Sequence, residues 1–327
     1  MERKLDELLF ALMQNMTIAV SGEKLARDLG VSHSTLVRSI DKLRAAKVEI
    51  RGELFTGYRL TRVPDVLLPQ LLRSRLRTGR LGRSLYHFYS VDSTNGFAMR
   101  LLMHGRSVPD GTLILAESQT AGRGRMGRTW HSEPESGLYL SIVLRPTVSP
   151  GFAPLFTLAC AVALHAAVQR ITRLDVDIKW PNDLLVGRKK VAGILAEIQA
   201  DLDRIHFLVI GAGLNVNHKA LPEDLADRAT SLRLVSGHPH SRLDILLDFL
   251  ERFEALIDRF QSEGPETIVS EWTRHSSFAV GRRVQITDGL RTAEGITRGL
   301  NSFGALRVET ASGRIEELYS GEVRDWE

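Results

Sequence analysis

Residues 122–128 of the chain are Gly122-Arg123-Gly124-Arg125-Met126-Gly127-Arg128, and they follow an apolar run, Thr112 to Ala116, that predicts a β-strand. Glycine permits positive φ and close approach of backbone amides to a ligand, and guanidinium groups add fixed charge and paired hydrogen bonds. This arginine loop therefore predicts an anion-binding site. A flexible basic loop without a ligand is the alternative, because a short glycine pattern is weak evidence by itself.

Four further motifs accompany the arginine loop. In chain order, with Ser118-Gln119-Thr120-Ala121 extending the loop at its start, they are Asp92-Ser93-Thr94-Asn95, Lys179-Trp180-Pro181-Asn182-Asp183-Leu184, Lys190-Val191-Ala192-Gly193-Ile194-Leu195 and Gly211-Ala212-Gly213-Leu214-Asn215-Val216. Together they resemble the biotin protein ligases from roughly Tyr86 to the C-terminus, although Met126 stands where that family often has arginine. The lipoate and octanoyl ligases and transferases share the general fold but are not known for this loop or the Lys-Trp-Pro-Asn-Asp run.

The resemblance implies an α+β protein. Its central mixed β-sheet with helices is expected to have the biotin/lipoate ligase fold, which is like that of the class II aminoacyl-tRNA synthetases. The expected domains are a winged helix-turn-helix DNA-binding domain at 1–64, a basic linker at 65–83, a catalytic domain that binds biotin and ATP at 84–274, and a small SH3-like β-barrel at 275–327.

The length and composition of the chain limit the number of domains and the class of protein. The chain has 327 residues, 43% of them hydrophobic, which allows about two or three domains with sizeable cores. One cysteine, Cys160, excludes an intrachain disulfide and suits a reducing compartment. Charges among the first residues argue against a signal peptide, and the uncharged stretch at 146–169 predicts a buried helix rather than a membrane span. We expect a cytoplasmic protein with no membrane partner.

Positive charge is concentrated in the N-terminal part. Residues 1–83 contain 16 Lys and Arg against 9 Asp and Glu, a balance of +7, and because the whole chain carries +4 the remainder carries −3. This asymmetry predicts a polyanion partner for one domain only.

A helix-turn-helix explains that charge. Leucine spacing, a candidate cap at Ser21 and the turn Gly30-Val31-Ser32 indicate three helices and a hairpin. The predicted elements are helices at 5–12, 22–29 and 32–46, then a β-hairpin wing at 48–51 and 56–60. The segment resembles the winged helix-turn-helix of the bifunctional biotin ligases, which also repress the biotin operon. A three-helix domain used for protein contacts is the alternative.

The exposed face of the third helix is expected to enter the major groove of operator DNA. The candidate DNA-binding residues are Ser32, His33, Ser34, Thr35, Arg38, Lys42 and Arg59. The segment from Leu71 to Arg83 carries five arginines and predicts a linker helix with a solvated basic face.

The biotin site is expected around the first motif. A strand at 86–91 precedes Ser93, which is also a candidate helix cap. By the resemblance, small polar residues there bind the ureido ring of biotin, while the arginine loop and the Lys190 segment contact the rest of the ligand. The biotin-binding candidates are Ser93, Thr94, Asn95, Gln119, Arg123, Gly124, Arg125, Lys190 and Gly193.

The chemistry that the resemblance implies has two steps. The biotin carboxylate attacks the α-phosphate of ATP to give biotinyl-5′-AMP and pyrophosphate, and a lysine of a carrier protein then attacks this mixed anhydride. Because the first step joins two anions, nearby cations must offset their repulsion. The ATP and adenylate candidates are Arg123, Arg125, Arg128, Trp130, Lys179, Asn182, Asp183, Lys190 and Asn215; Arg125, Lys190 and Asp183 are the catalytic candidates.

Asp183 follows a proline that disfavours a central strand, so its carboxylate is expected to project from a fixed turn at a strand end. We expect it to orient the nucleotide or its Mg²⁺, which otherwise arrives with ATP. A second hypothesis is that Asp183 helps to accept the proton of the acceptor lysine. The alternative is that Asn182 and Asp183 only form a turn after Pro181, as these residue types often do. No other metal ligand is expected.

The remaining helices and strands are predicted from the local spacing of apolar and turn-forming residues. Gly211-Ala212-Gly213 predicts a turn after a strand at 207–210, and Trp130 and Trp180 offer either aromatic surface to a ligand or core. Helices at 243–260 and 266–274 are expected to precede short β segments at 283–287, 293–298, 305–309 and 314–318.

The expected partners are the biotin carboxyl carrier protein of acetyl-CoA carboxylase, operator DNA and a second copy of the chain that joins on binding biotinyl-5′-AMP. Three other interpretations of the function stay open. They are a ligase without operator binding, a transcription factor that only senses a nucleotide-like effector, and a lipoate or octanoyl ligase or transferase.

Overall fold

The computed structural model describes residues 2–45, 48–62, 65, 67–288 and 291–325. The chain divides between Arg77 and Thr78 into two compact units.

The first unit begins with three helices: α1 (Glu2–Met13), α2 (Gly22–Leu29) and α3 (His33–Ala45). Gly30 ends α2 with φ 59°, a left-handed conformation that glycine adopts without a Cβ penalty. Leu8, Leu25 and Leu36 are buried between the helices. The predicted helix-turn-helix is therefore confirmed, but the Ser21 side chain makes no capping hydrogen bond.

The predicted wing is present as an antiparallel pair, β1 (Glu49–Glu53) and β2 (Gly57–Arg62). Tyr58 at the start of β2 exchanges two backbone hydrogen bonds with Val20, which joins the wing to the segment before α2.

The helix that follows the wing is shorter than predicted. Helix α4 (Pro69–Arg75) ends well before Arg83. Instead, the Glu254 carboxylate accepts the backbone N–H groups of Gly79, Arg80 and Leu81 at 2.7–2.8 Å. The Arg80 side chain is also paired with Asp110 at 2.8 Å. The expected solvated basic face is thus wrong for Arg80, because acidic groups of the second unit bind this stretch.

The second unit contains a seven-stranded sheet in the order β3-β4-β5-β9-β8-β7-β6. Its strands are β3 (Leu85–Phe88), β4 (Leu113–Ala116), β5 (Gly137–Leu144), β6 (Asp177–Lys179), β7 (Asp183–Val186), β8 (Lys189–Ala200) and β9 (Ile205–Asn215). Only β3 and β4 are parallel among these pairs of described strands, so the predicted mixed sheet is confirmed.

Several helices of the second unit pack against this sheet. The helices of this unit are α5 (Thr94–Met103), α6 (Ala153–Thr172), α7 (Glu223–Ala226), α8 (Leu232–Ser236), α9 (Arg242–Glu263) and α10 (Glu266–His275). Ala98 and Leu102 of α5 pack in one core cluster with Val143 of β5 and Val209 of β9. Both predicted helices at 243–260 and 266–274 are confirmed by α9 and α10.

One segment, Pro150–Thr172, is long and apolar enough to cross a membrane by length and composition alone. Most of its residues are buried within the unit, and Leu155, Ala159 and Leu164 are almost fully buried. Burial also raises the pKa of the Cys160 thiol, which keeps it protonated. The packing makes α6 a core helix, as the sequence predicts.

The predicted turn at Gly211–Gly213 is wrong, because these residues continue β9. Their lack of side chains has a packing cause. A Cβ on Gly211 would lie 2.8 Å from Asn95 Cγ, and one on Gly213 would lie 2.5 Å from Trp130 Nε1. Glycine within a strand here marks the close approach of other side chains.

The chain ends in a five-stranded antiparallel sheet in the order β13-β12-β11-β10-β14. Its strands are β10 (Val280–Asp288), β11 (Arg291–Leu300), β12 (Leu306–Glu309), β13 (Ile315–Leu318) and β14 (Glu322–Asp325). The four predicted β segments are confirmed, whereas β14 was not anticipated.

Candidate functional site

A cleft of about 1210 Å³ opens in the second unit. It is lined by every residue that the sequence predicts to bind biotin or ATP. They are Ser93, Thr94, Asn95, Gln119, Arg123, Gly124, Arg125, Arg128, Trp130, Lys179, Asn182, Asp183, Lys190, Gly193 and Asn215. The fold thus brings five motifs, spread over more than a hundred residues, around one space, while their individual roles stay predictions.

One end of the cleft is polar and buried. The Ser93 hydroxyl caps α5 by accepting the Gly96 N–H, as predicted. The Thr94 N–H donates to Gln119 Oε1 at 2.9 Å, so the first two motifs meet. Ser141 of β5 lies behind them, with its Oγ 2.8 Å from Thr94 Oγ1. Small donors and acceptors therefore converge where a compact polar ring could bind.

Glu197 of β8 joins this polar end to the arginine loop. Its Oε2 accepts from Asn95 Nδ2 at 2.8 Å and from the Arg123 guanidinium at 2.9 Å. Neither Glu197 nor Ser141 was predicted from sequence. Both lie in the middle of strands, where nothing local distinguishes a site residue from a half-buried polar residue.

The arginine loop is compact. Arg125–Gly127 form a 3₁₀ turn in which Met126 has φ 55° and an exposed side chain. The Gly124 N–H donates to the Arg128 carbonyl at 2.7 Å and closes the loop. Methionine tolerates this backbone only at some strain, which is consistent with a conformation imposed by the surrounding structure.

The three loop arginines have different partners. Arg123 binds Glu197, Arg125 donates to Asn182 Oδ1 at 3.1 Å, and Arg128 pairs with Glu322 of β14. The hydrogen bond from Arg128 lowers the pKa of the Glu322 carboxyl. Arg128 therefore ties the loop to the C-terminal sheet, a contact that the sequence did not predict.

Lys190 and Asp183 face each other across the hairpin of β7 and β8. Lys190 Nζ lies 2.6 Å from Asp183 Oδ1 and 5.6 Å from the centre of the Trp130 ring. Burial lowers the pKa of Lys179 and of Arg125, and Asp183 opposes both shifts. Positive groups thus outnumber carboxylates in a partly buried space, and an anionic ligand would relieve this imbalance.

The two tryptophans have different environments. Trp130 lies over the glycines of β8 and β9, with room made by Gly193 and Gly213. Trp180 is 1% exposed and donates from Nε1 to the Gly304 carbonyl, which favours core packing over ligand surface, the two alternatives that the sequence left open. Asn215 is also buried and donates to the Thr230 carbonyl.

Changing Gly213 to alanine is expected to weaken biotin binding at least about tenfold, because the new methyl group displaces the Trp130 ring into the cleft. Equilibrium binding of labelled biotin to the purified variant measures this. Gly151→Ala is the control, since its Cβ would meet Phe303 at an ordinary 3.5 Å. Equal affinity in both variants would contradict a ligand-facing Trp130.

The candidate DNA-binding residues lie on the exposed side of the first unit. Ser34, Arg38 and Lys42 follow at four-residue spacing along α3, which places them on one helical face. The Arg38 guanidinium donates to Thr35 Oγ1, and Ser32 Oγ accepts the Thr35 N–H. His33 is exposed at the start of α3, and Arg59 is exposed on the wing.

Three family models match the chain. The biotin/lipoate A/B protein ligase family matches residues 87–215, the biotin protein ligase C-terminal domain matches 279–324, and an HTH domain matches 4–59. The chain is also 34% identical over 306 residues to the bifunctional ligase/repressor BirA of Bacillus spizizenii, covering 93% of each. The chain belongs to this family of bifunctional biotin ligase/repressors. The BirA of Escherichia coli K12 is 31% identical and covers 93% of this chain.

Solved structures agree with this membership. The biotin protein ligase of Aquifex aeolicus, in complex with biotin and ATP, superposes with a TM-score of 0.65 and 31% identity. That superposition covers 75% of this chain and 100% of the other. The second unit of this family member therefore has the biotin ligase fold.

Proposed function

We propose that the chain is an ATP-dependent biotin protein ligase and a biotin-responsive repressor. In the first activity it joins biotin and ATP to give biotinyl-5′-AMP and transfers biotin to a lysine of the biotin carboxyl carrier protein. The observation that carries this proposal is the single cleft that unites all fifteen predicted ligand residues. The similarity to a ligase solved with biotin and ATP supports it.

Biotin would occupy the polar end of the cleft. Its ureido ring has two N–H donors and one carbonyl acceptor, and Ser93, Thr94, Asn95 and Gln119 offer matching groups. Trp130 would cover the fused rings, and Gly193 leaves the space that a side chain would fill. Hydrogen bonds among these residues hold them in place before the ligand binds, which reduces the ordering cost of binding.

ATP would bring its phosphates to the cationic side. Arg123, Arg125 and Lys190 would contact the biotin carboxylate and the α-phosphate, so the repulsion between two anions is offset and the charge developing on phosphorus is stabilised. Lys179 and Arg128 also line the cleft and would bind the remaining phosphates. Glu197 and Asp183 now pair with Arg123 and Lys190, and the ligand anions would take over these cations.

Magnesium would arrive with ATP. Mg²⁺ is usually held by one or two carboxylates together with substrate phosphates and water. Asp183 supplies a carboxylate to the cleft wall where the cations would bind the phosphates, and the Asn182 amide lies next to it. This donor set fits an ion that is bound mainly by the triphosphate. The ion would neutralise phosphate charge when bound.

The finer architecture and assembly are part of the proposal. The five-stranded C-terminal sheet would be a small SH3-like barrel, and the catalytic fold would match the class II aminoacyl-tRNA synthetases. Closure of the arginine loop over biotinyl-5′-AMP would protect the anhydride from water and favour a homodimer that binds operator DNA. We place this activity in the cytoplasm.

Pyrophosphate exchange tests the ligase. The purified protein with Mg²⁺ is expected to incorporate labelled pyrophosphate into ATP when biotin is present, and not when octanoate or lipoate replaces it. Exchange with octanoate or lipoate instead would point to the related acyl ligases. If no acid supports exchange, the ligase proposal fails and an effector-sensing regulator becomes the better account.

The base role of Asp183 has its own test. Transfer of biotin from preformed biotinyl-5′-AMP to the carrier protein is followed against pH for the natural chain and for Asp183→Asn. Protonation of the acceptor lysine lowers the rate at low pH in both proteins, so a general base is detected as a lower transfer rate of the variant at a pH where that lysine is deprotonated. An unchanged transfer rate in the variant removes the base role and leaves only nucleotide binding.

Arg38→Ala is expected to weaken DNA binding about three- to tenfold and to reduce the salt dependence of log K by about one unit, as loss of one phosphate contact does. Genomic fragments selected by the biotin-loaded protein supply the DNA, and fluorescence anisotropy supplies the affinity. Arg106→Ala removes an equal exposed charge from the second unit and serves as control. Equal losses of DNA affinity in Arg38→Ala and Arg106→Ala would indicate a general effect of net charge. That result would contradict direct contact between α3 and DNA.

A further inference from the structure

A cluster of potential metal ligands lies at the wall of the cleft, which His131 helps to line, and none of its members is among the proposed biotin and ATP contacts. It consists of His131 and Glu133, in the segment before β5, and His218, three residues after β9. One ligand atom from each of these side chains lies within 4.8 Å of the other two. The two histidine rings have centroids 6.1 Å apart.

The cluster is held by backbone contacts as well as by side chains. The Asn217 N–H donates to the Ser136 carbonyl at 2.6 Å, which joins the two segments. The Ser231 hydroxyl donates to the His218 carbonyl at 2.8 Å. His218 is 0% exposed, so its ring has little freedom to point elsewhere.

Hydrogen bonding fixes which nitrogen of His218 carries a proton. The Tyr139 hydroxyl donates to the Glu133 carbonyl at 3.0 Å, so its oxygen is left to accept from His218 Nε2 at 3.1 Å. In the neutral imidazole, Nε2 is then the nitrogen that carries the proton. The unprotonated lone pair is therefore on Nδ1.

His218 Nδ1 is buried and has no hydrogen-bond partner among the described residues. A buried lone pair without a partner is costly, and such a group calls for an explanation such as an ion. Metal-bound histidine commonly donates its other ring N–H to an oxygen atom that orients the ring. The Tyr139 hydroxyl has this position relative to His218.

We propose that His131, Glu133 and His218 form a binding site for one Zn²⁺ ion. Two imidazoles and one carboxylate are a known zinc ligand set, with water completing the tetrahedron. Atoms within 4.8 Å of one another share a point no more than about 2.8 Å from each (4.8 Å divided by √3), against about 2.0–2.2 Å for zinc bonds. Closing the site requires each ligand atom to move by less than about 1 Å.

The charges around the cluster are compatible with a bound cation. The neighbouring Arg242 is paired with Glu117 at 2.8 Å, and this pair is fully buried. The Glu133 carboxylate then supplies the negative charge of the ligand set. The Zn²⁺ ion would tie the end of β9 to residues 131–133, next to Trp130 and to Ser132, whose Oγ accepts from Gln119 Nε2. Its role is structural support of the cleft wall.

Metal titration of the full-length chain tests this proposal. The protein, prepared without a polyhistidine tag and treated with EDTA, is titrated with Zn²⁺ against a chromophoric chelator in the absence of ATP. We expect one Zn²⁺ per chain and at least about tenfold weaker binding for His131→Ala and for Glu133→Gln. Co²⁺ in place of Zn²⁺ is expected to give visible absorption bands that both variants lose.

His206→Ala is the matched control, because His206 pairs with Asp201 at 2.8 Å away from this cluster. It should bind Zn²⁺ within about twofold of the natural chain. His131→Ala and Glu133→Gln change only loop side chains, so the test does not depend on replacing the buried His218. Absence of Zn²⁺ binding, or equal binding by the natural chain and both loop variants, would overturn the proposal.

Discussion

Replacing Lys190 by alanine is expected to lower biotin-dependent ATP–pyrophosphate exchange by at least about 100-fold, the usual cost of removing a group that stabilises transition-state charge. Lys190 lines the cleft, with its Nζ 2.6 Å from Asp183 Oδ1 and 5.6 Å from the centre of the Trp130 ring. Without it, the reacting carboxylate and α-phosphate lose one of the charges that hold them together. Initial rates at saturating biotin and ATP measure the change in kcat.

The adjacent lysine gives a matched control for this prediction. Lys189 is exposed and donates from Nζ to the Ala226 carbonyl at 2.6 Å, and it does not line the cleft. Lys189→Ala should therefore keep exchange within about threefold. If the two variants behave alike, the charge of the hairpin and not the placement of Lys190 supports the reaction, and the assigned role is wrong.

Replacing Arg242 by methionine is expected to lower the free energy of unfolding of the second unit by about 3–5 kcal/mol. Arg242 and Glu117 are both fully buried, and the guanidinium also donates to the Gly137 carbonyl at 3.0 Å. Methionine fills similar volume but leaves the Glu117 carboxylate buried without its cation. Urea unfolding followed by tryptophan fluorescence reports on this unit, because all four tryptophans lie after residue 77.

Two further variants separate loss of the pair from loss of a positive charge. Arg259→Met removes an exposed arginine from the same helix, where the pair with Glu263 is solvated, and should change stability by less than about 0.5 kcal/mol. Arg242→Met combined with Glu117→Leu removes both charges and should recover at least half of the loss. A double variant as unstable as the single one would contradict this account.

The sequence predicted local structure well where local rules suffice. The helix-turn-helix follows from leucine spacing and Gly30, and the cap of α5 follows from Ser93. The four predicted β segments of the C-terminal sheet also appear. These elements depend on short-range hydrogen bonds and on the side-chain period, which are written in neighbouring residues.

Predictions failed where distant residues decide the conformation. Gly211–Gly213 form strand and not turn because Asn95 and Trp130 occupy the space beside them. Residues 79–81 are bound by the Glu254 carboxylate, more than 170 positions away. No local pattern contains either partner.

The sequence by itself determined the family, most of the elements and fifteen of the residues that line the cleft, because ligand chemistry requires particular side chains in recognisable motifs. The tertiary structure alone decided how those residues are paired. It placed Glu197 on Arg123, Glu322 on Arg128 and the Tyr139 hydroxyl on His218. Such contacts join different strands and loops, so they arise only when packing of the hydrophobic core fixes the register of one element against another.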